Sequence, residues 1–98
     1  MVQSNPKQAF DRAIFLLKND SFDEAEQICR SSLSENDRDI NFLFLLGTIQ
    51  MRKNELEEAE MLFKAVVKRA PDYPTVQENL GTVLLNLGKS EEALIPLQ

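Results

Sequence analysis

An all-α fold, an α-α superhelix of stacked helix-turn-helix units, is predicted by three observations. Residues of like size recur every 34 positions: Ala13 aligns with Gly47 and Gly81, and Ala25 with Ala59 and Ala93. Cys29, Phe63 and Leu97 also fall in register, as do Phe22, Leu56 and Ser90 and the loop residues Asp20, Asn54 and Gly88. A period of this length marks stacked units that bury one another's faces. The stretch 54–70 sets Leu56, Ala59, Leu62, Phe63, Val66, Val67 and Ala70 at three- and four-residue steps, one stripe of an amphipathic helix. Polar turn residues separate the stripes at the same period, and Pro71 ends the central unit. The predicted organisation is one domain over 1–98, with about two and a half to three units at 6–39, 40–73 and 74–98, the last truncated.

Each element follows in order. Asn5 is a good N-cap and Pro6 is pre-set for a first helical position, so a helix is predicted from there to Lys18. Ala9, Ala13 and Leu16 form one apolar line on it, with Phe10, Ile14 and Leu17 beside it. Ser21 with Glu24 has the spacing of a capping box for a second helix, reaching Ser34 with Phe22, Ala25, Ile28, Cys29 and Leu33 inward. Asp37 or Asp39 caps a third, Ile40 to Lys53. Its apolar run Phe42–Leu46 could form a buried strand, but length, the placing of Gly47 and the 34-residue echo favour helix. At Gly47 a neighbouring helix can approach closely. Asn54 with Glu57 repeats the capping pattern for a fourth helix, Glu55 to Arg69. Pro74 opens a fifth that runs to Leu87, with Gly88 behind it and Ser90 capping a sixth.

Composition narrows the function. A net charge of −5 with scattered basic residues argues against nucleic acid or an anionic membrane as partner. Without histidine, and with Cys29 as the single cysteine, the usual nucleophile and zinc constellations cannot be assembled. Cys29 falls on an apolar stripe and reads as a small core residue. The acidic pairs Asp23-Glu24 and Glu57-Glu58 sit at helix starts, where they complement the helix dipole, rather than forming an acid/base couple. No cofactor, metal or catalytic site is expected, and the chain reads as a non-enzyme. A start lacking the features of a signal peptide, and a lone cysteine, point to the cytoplasm.

The pattern resembles the tetratricopeptide repeat family. Leu43, Leu46, Gly47, Ala59, Phe63 and Pro71 match its motif in the central unit, with Gln50 where the family usually has Tyr; Leu80-Gly81, Gly88 and Ala93 match in the third. The first unit departs, with Arg12-Ala13 for Leu-Gly and Asp37 for the closing Pro. The resemblance implies a right-handed stack whose first helices line a concave face. It also implies a scaffold that binds a protein or peptide there through Phe10, Ile14, Leu17, Asn41, Phe44, Thr48, Met51, Arg52, Glu78 and Thr82. The same apolar residues could instead serve packing between helices. Some relatives clamp heat-shock chaperone tails with basic and Asn residues; the matching positions here are Phe10, Ile14, Leu45, Thr75 and Asn79, so no such binding is expected. Two further expectations are fusion to a larger enzyme, such as a sulfotransferase or glycosyltransferase, and homodimerisation through an apolar C-terminal end at Leu84, Leu87 and Ala93.

Overall fold

The computed structural model describes residues 5–88. They form five α-helices: α1 (Pro6–Lys18), α2 (Phe22–Glu35), α3 (Ile40–Arg52), α4 (Leu56–Arg69) and α5 (Val76–Asn86). There is no strand among the described residues, so Phe42–Leu46 lies within a helix. The sixth helix expected from Ser90, with Ala93, lies outside them.

α1 pairs with α2 and α3 with α4; α3 packs on α2, and α5 on α4. α1 also touches α3, and α3 touches α5, so the first helices of successive hairpins lie side by side. The result is elongated, 48 × 26 × 19 Å. α3 sits between both neighbours, and its composition reflects that position. Phe42, Leu43, Leu45, Leu46, Gly47, Ile49 and Gln50 are all buried, so it needs apolar residues nearly all round.

Gly47 marks a close contact between α3 and α4. A Cβ there would lie 2.7 and 2.9 Å from two ring carbons of Phe63 on α4, so the phenyl ring fits only because the side chain is a hydrogen. In the first hairpin the corresponding residues are Ala13 and Cys29, both fully buried. A methyl group faces a thiol there, where a hydrogen faces a phenyl in the second.

Two caps form as expected: Asn5 Oδ1 accepts from Lys7 N–H, and Asp39 Oδ1 from Asn41 and Phe42 N–H. The capping box at Ser21 and Glu24 does not form. Ser21 N–H donates instead to Leu16 O at 2.8 Å, and Asp20, at φ 62°, donates to Leu17 O at 3.0 Å. The donor that Glu24 was to satisfy is already taken by the end of the preceding helix. Asn54 is likewise not a cap: at φ 66° it donates to Met51 O, while Glu55 N–H donates to Gln50 O at 2.8 Å. Gly88 repeats the geometry at φ 81°. Asp20, Asn54 and Gly88 are therefore one left-handed turn residue, used after α1, α3 and α5. Pro74 does not open α5, because Thr75 is left-handed at φ 62° and the helix begins at Val76. Leu84 is buried rather than uncovered, and Leu87 is half-buried.

Candidate functional site

The face of the first helices is assembled by the 34-residue register. Phe10, Phe44 and Glu78 occupy one position of the repeat; Ile14, Thr48 and Thr82 another; Leu17, Met51 and Leu85 a third. Because α1, α3 and α5 lie side by side, these become rows across the three helices. Burial divides the rows. Leu17 is in the core, Phe10, Ile14, Phe44, Thr48 and Met51 are half-buried, and Asn41, Arg52, Glu78, Thr82 and Leu85 are exposed, Leu85 at 54%.

The aromatic members are held from behind. Phe10 meets Phe42 edge-on with ring centroids 5.4 Å apart. Phe44 lies 5.7 Å from Phe63 and 4.8 Å from Tyr73, whose hydroxyl donates to Asn41 Oδ1 at 2.7 Å. Tyr73 thus braces two residues of the face, and burial with the nearby Asp39 carboxylate raises its pKa. Sequence reading missed it. Its signal was an aromatic between the prolines of a polar turn. Thr48 and Thr82 hydroxyls donate back to Phe44 O and Glu78 O at 3.0 Å. Arg52 donates to Asp20 at 3.2 Å and lies 5.3 Å over the Phe22 ring, so its guanidinium is fixed at the edge of the face.

Polar ties cross between the first and second hairpins. Lys53 Nζ donates to Asp23 at 2.7 Å and Glu26 at 2.8 Å; Arg30 Nε donates to Glu26 at 2.8 Å, and its Nη2 to both oxygens of Glu58 at 3.0 and 2.8 Å. Gln50 Nε2 completes the chain by donating to Glu58 at 2.7 Å. Hydrogen bonding from Lys53 and then Arg30 holds the Glu26 carboxyl below its usual range despite desolvation, and the two carboxylates raise Lys53. Asp23 and Glu58, read from sequence as helix-start charges that complement the dipole, are thus also ion-paired across the seam. Gln50 is 3% exposed, and its Oε1 has no partner among the described residues. No group of metal-ligating residues occurs among them either. Cys29 is buried, and desolvation pushes its thiol up to about 12, which leaves it protonated and unreactive at neutral pH.

A separate recess of about 520 Å³ runs between α1 and α2, floored by Ala9, Leu16, Ile28, Ser32 and Phe42, with Arg12 and Glu24 among its polar lining. Its origin is a set of small residues. Ala9 stands where the second hairpin has Leu43, and Ser32 where it has Val66. None of the residues predicted for the peptide face lines it.

Stacked hairpins with a glycine-on-phenyl contact and a 34-residue register are matched by a tetratricopeptide repeat family model over residues 16–78. The chain belongs to the tetratricopeptide repeat family. Solved structures share the architecture: MamA MSR-1 C2 has a TM-score of 0.84 at 22% identity, covering 95% of this chain and 53% of that one. Two structures of a single MamA point mutant, mutant 1 and mutant 2, give TM-scores of 0.84 and 0.83, also at 22% identity, covering 95% and 96% of this chain and 54% and 52% of theirs. This tetratricopeptide repeat chain therefore spans about half the length of the MamA chains it matches. No curated protein sequence matches it. No helix among the described residues is long and apolar enough to cross a membrane.

Proposed function

We propose that the protein is a non-catalytic interaction scaffold that takes a peptide or a helix across the face of α1, α3 and α5. The observation that carries this reading is the mixed character of that face. Phe44 and Met51 are half-buried and Leu85 exposed, and they alternate with Asn41, Thr48, Arg52, Glu78 and Thr82, an apolar floor with polar groups that orient a ligand. Membership of a repeat family known for binding proteins supports it. Cytoplasmic residence and the lack of a chaperone-tail clamp belong to the same proposal.

The test begins with selection of peptides from a random display library on the immobilised protein. Selected peptides should lose at least about tenfold in affinity on Thr82→Arg or Leu85→Asp, a cost of about 1.4 kcal/mol. They should be unaffected by Met61→Asp, an exposed site on α4. Peptides insensitive to both face variants would place the binding surface elsewhere. Phe10→Glu and Phe44→Glu are poor probes, because both rings brace the core.

A further inference from the structure

The tie between Tyr73 and Asn41 belongs to the central unit alone among the described residues. One unit back, the position of Tyr73 is held by Asp39, which caps α3, and the positions equivalent to Asn41 are Lys7 and Thr75. Tyr73 has little freedom. Its N–H donates to Ala70 O at 3.0 Å, its carbonyl accepts from Val76 N–H at 3.3 Å, and its ring lies 4.8 Å from that of Phe44. The hydroxyl that meets Asn41 Oδ1 at 2.7 Å is therefore presented from a fixed turn.

An exposed carboxamide that rotates freely offers a ligand either its donors or its acceptor. Asn41 is exposed, but the phenol occupies its Oδ1, which leaves Nδ2 and its N–H groups as the free end. No hydrogen bond from that nitrogen occurs among the described residues. The face thus carries a donor of fixed sense on the helix that also bears the half-buried Phe44, and what meets it must accept. The Asp39 carboxylate, close enough to raise the Tyr73 pKa, repels an anionic acceptor and favours a neutral carbonyl. A helix spends its own carbonyls internally except in its last turn, whereas an extended segment has a free carbonyl at every residue.

We infer that Tyr73 is a positioning residue, fixing Asn41 as the hydrogen-bond donor to a backbone carbonyl of an extended peptide segment. This rests on the reading of the first-helix face as the binding surface and narrows it: the ligand is an extended segment and not a helix. Holding the carboxamide in one sense before the ligand arrives spares the cost of ordering it on binding.

The probe is a peptide selected from the display library on the full chain, titrated by fluorescence anisotropy. Asn41→Ala should weaken it about fivefold, and Tyr73→Phe, which keeps the ring against Phe44, about threefold. Circular dichroism should report intact helices in both variants. The peptide's amides are then replaced one at a time by esters, whose carbonyls accept more weakly. One position should lose affinity with the wild-type chain and not with Asn41→Ala, a coupling that a merely structural tie would not produce. A stapled, helix-locked form of the peptide should bind at least about tenfold more weakly. Peptides sensitive to Leu85→Asp but indifferent to Asn41→Ala or to Tyr73→Phe would overturn the inference while sparing the scaffold reading. An ester scan with no position coupled to Asn41, or equal binding of the stapled form, would do the same. Failure to select any peptide, or indifference to both Thr82→Arg and Leu85→Asp, would overturn the two together.

Discussion

At Gly47 the cost of a single methyl group can be read from distance. Alanine removes a helix-interior glycine, a gain of about 0.5–1 kcal/mol. Against that, its Cβ would stand 2.7 Å from a Phe63 ring that is itself fully buried and cannot swing away. Overpacking of this kind costs about 1–3 kcal/mol, so Gly47→Ala should lower the unfolding free energy by a net of about 1 kcal/mol, read as a lower urea midpoint. In a Phe63→Leu background the same change should be neutral or favourable, and the double-mutant cycle measures the coupling. The existing Ala13 and Cys29 pair is nature's version of that background. Gln50 offers a second test. Met in its place removes the unpartnered Oε1 while Glu58 keeps Arg30, so stability should change by less than about 1 kcal/mol. Gln50→Glu should instead destabilise at neutral pH, because two carboxylates would share the buried end of the network. Gly47 was legible from the 34-residue echo. The orphan on Gln50 was not, since a Gln in an apolar stripe gives no hint of its partner.

The hairpin turns show what an element inherits from its loop. Asp20, Asn54 and Thr75 hold φ of 62°, 66° and 62° without being glycine. Asn and Asp visit this region at modest cost, but a β-branched residue is strained there. Thr75→Gly should therefore raise thermal stability by about 1 kcal/mol, and Asn54→Gly by less, as followed by calorimetry. A loss on Thr75→Gly would show that the turn before α5 is not strained. Helix existence and order were visible in the apolar periodicity, and the recurrence of Asp20, Asn54 and Gly88 was visible as a pattern. That Glu24 would not reach back to Ser21 was hidden, because the Ser21 N–H is claimed by Leu16 O across the turn. A side-chain cap and a backbone turn compete for one donor, and sequence displays only the first.

Over the whole molecule, proton linkage bounds stability on both sides. Glu26 has a lowered pKa in the fold, so its contribution is complete above the ordinary value of 4.5 and is lost as pH falls through the lowered one. Cys29 is raised from 9.0 to about 12, so its contribution is complete below 9.0 and fades as pH rises toward 12. Urea midpoints should fall at both extremes, with Cys29→Ala flattening the alkaline limb and Glu26→Gln the acid one. The resemblance proposed residues for the face of the first helices, but gave no indication of the depth of each. Leu17 lies in the core and Leu85 in water, though they share a repeat position. That difference arises from which helices stand alongside, a property of the stack and not of any segment. The ties from Lys53 and Arg30 were hidden for the same reason, since their partners lie 27 to 30 residues away.

The seam between the first two hairpins is laced by charge. Charged groups tie α2 to α3 and α4, and Val76, Leu80 and Val83 of α5 bury apolar side chains beside α4. Dissolved salt shields the former and, when strongly hydrated, reinforces the latter. Moderate sodium chloride should accordingly loosen the amino-terminal hairpin first, visible as earlier amide hydrogen exchange in α1 and α2. Sulfate should shift protection toward α4 and α5, so the choice of buffer would decide from which end this stack unzips.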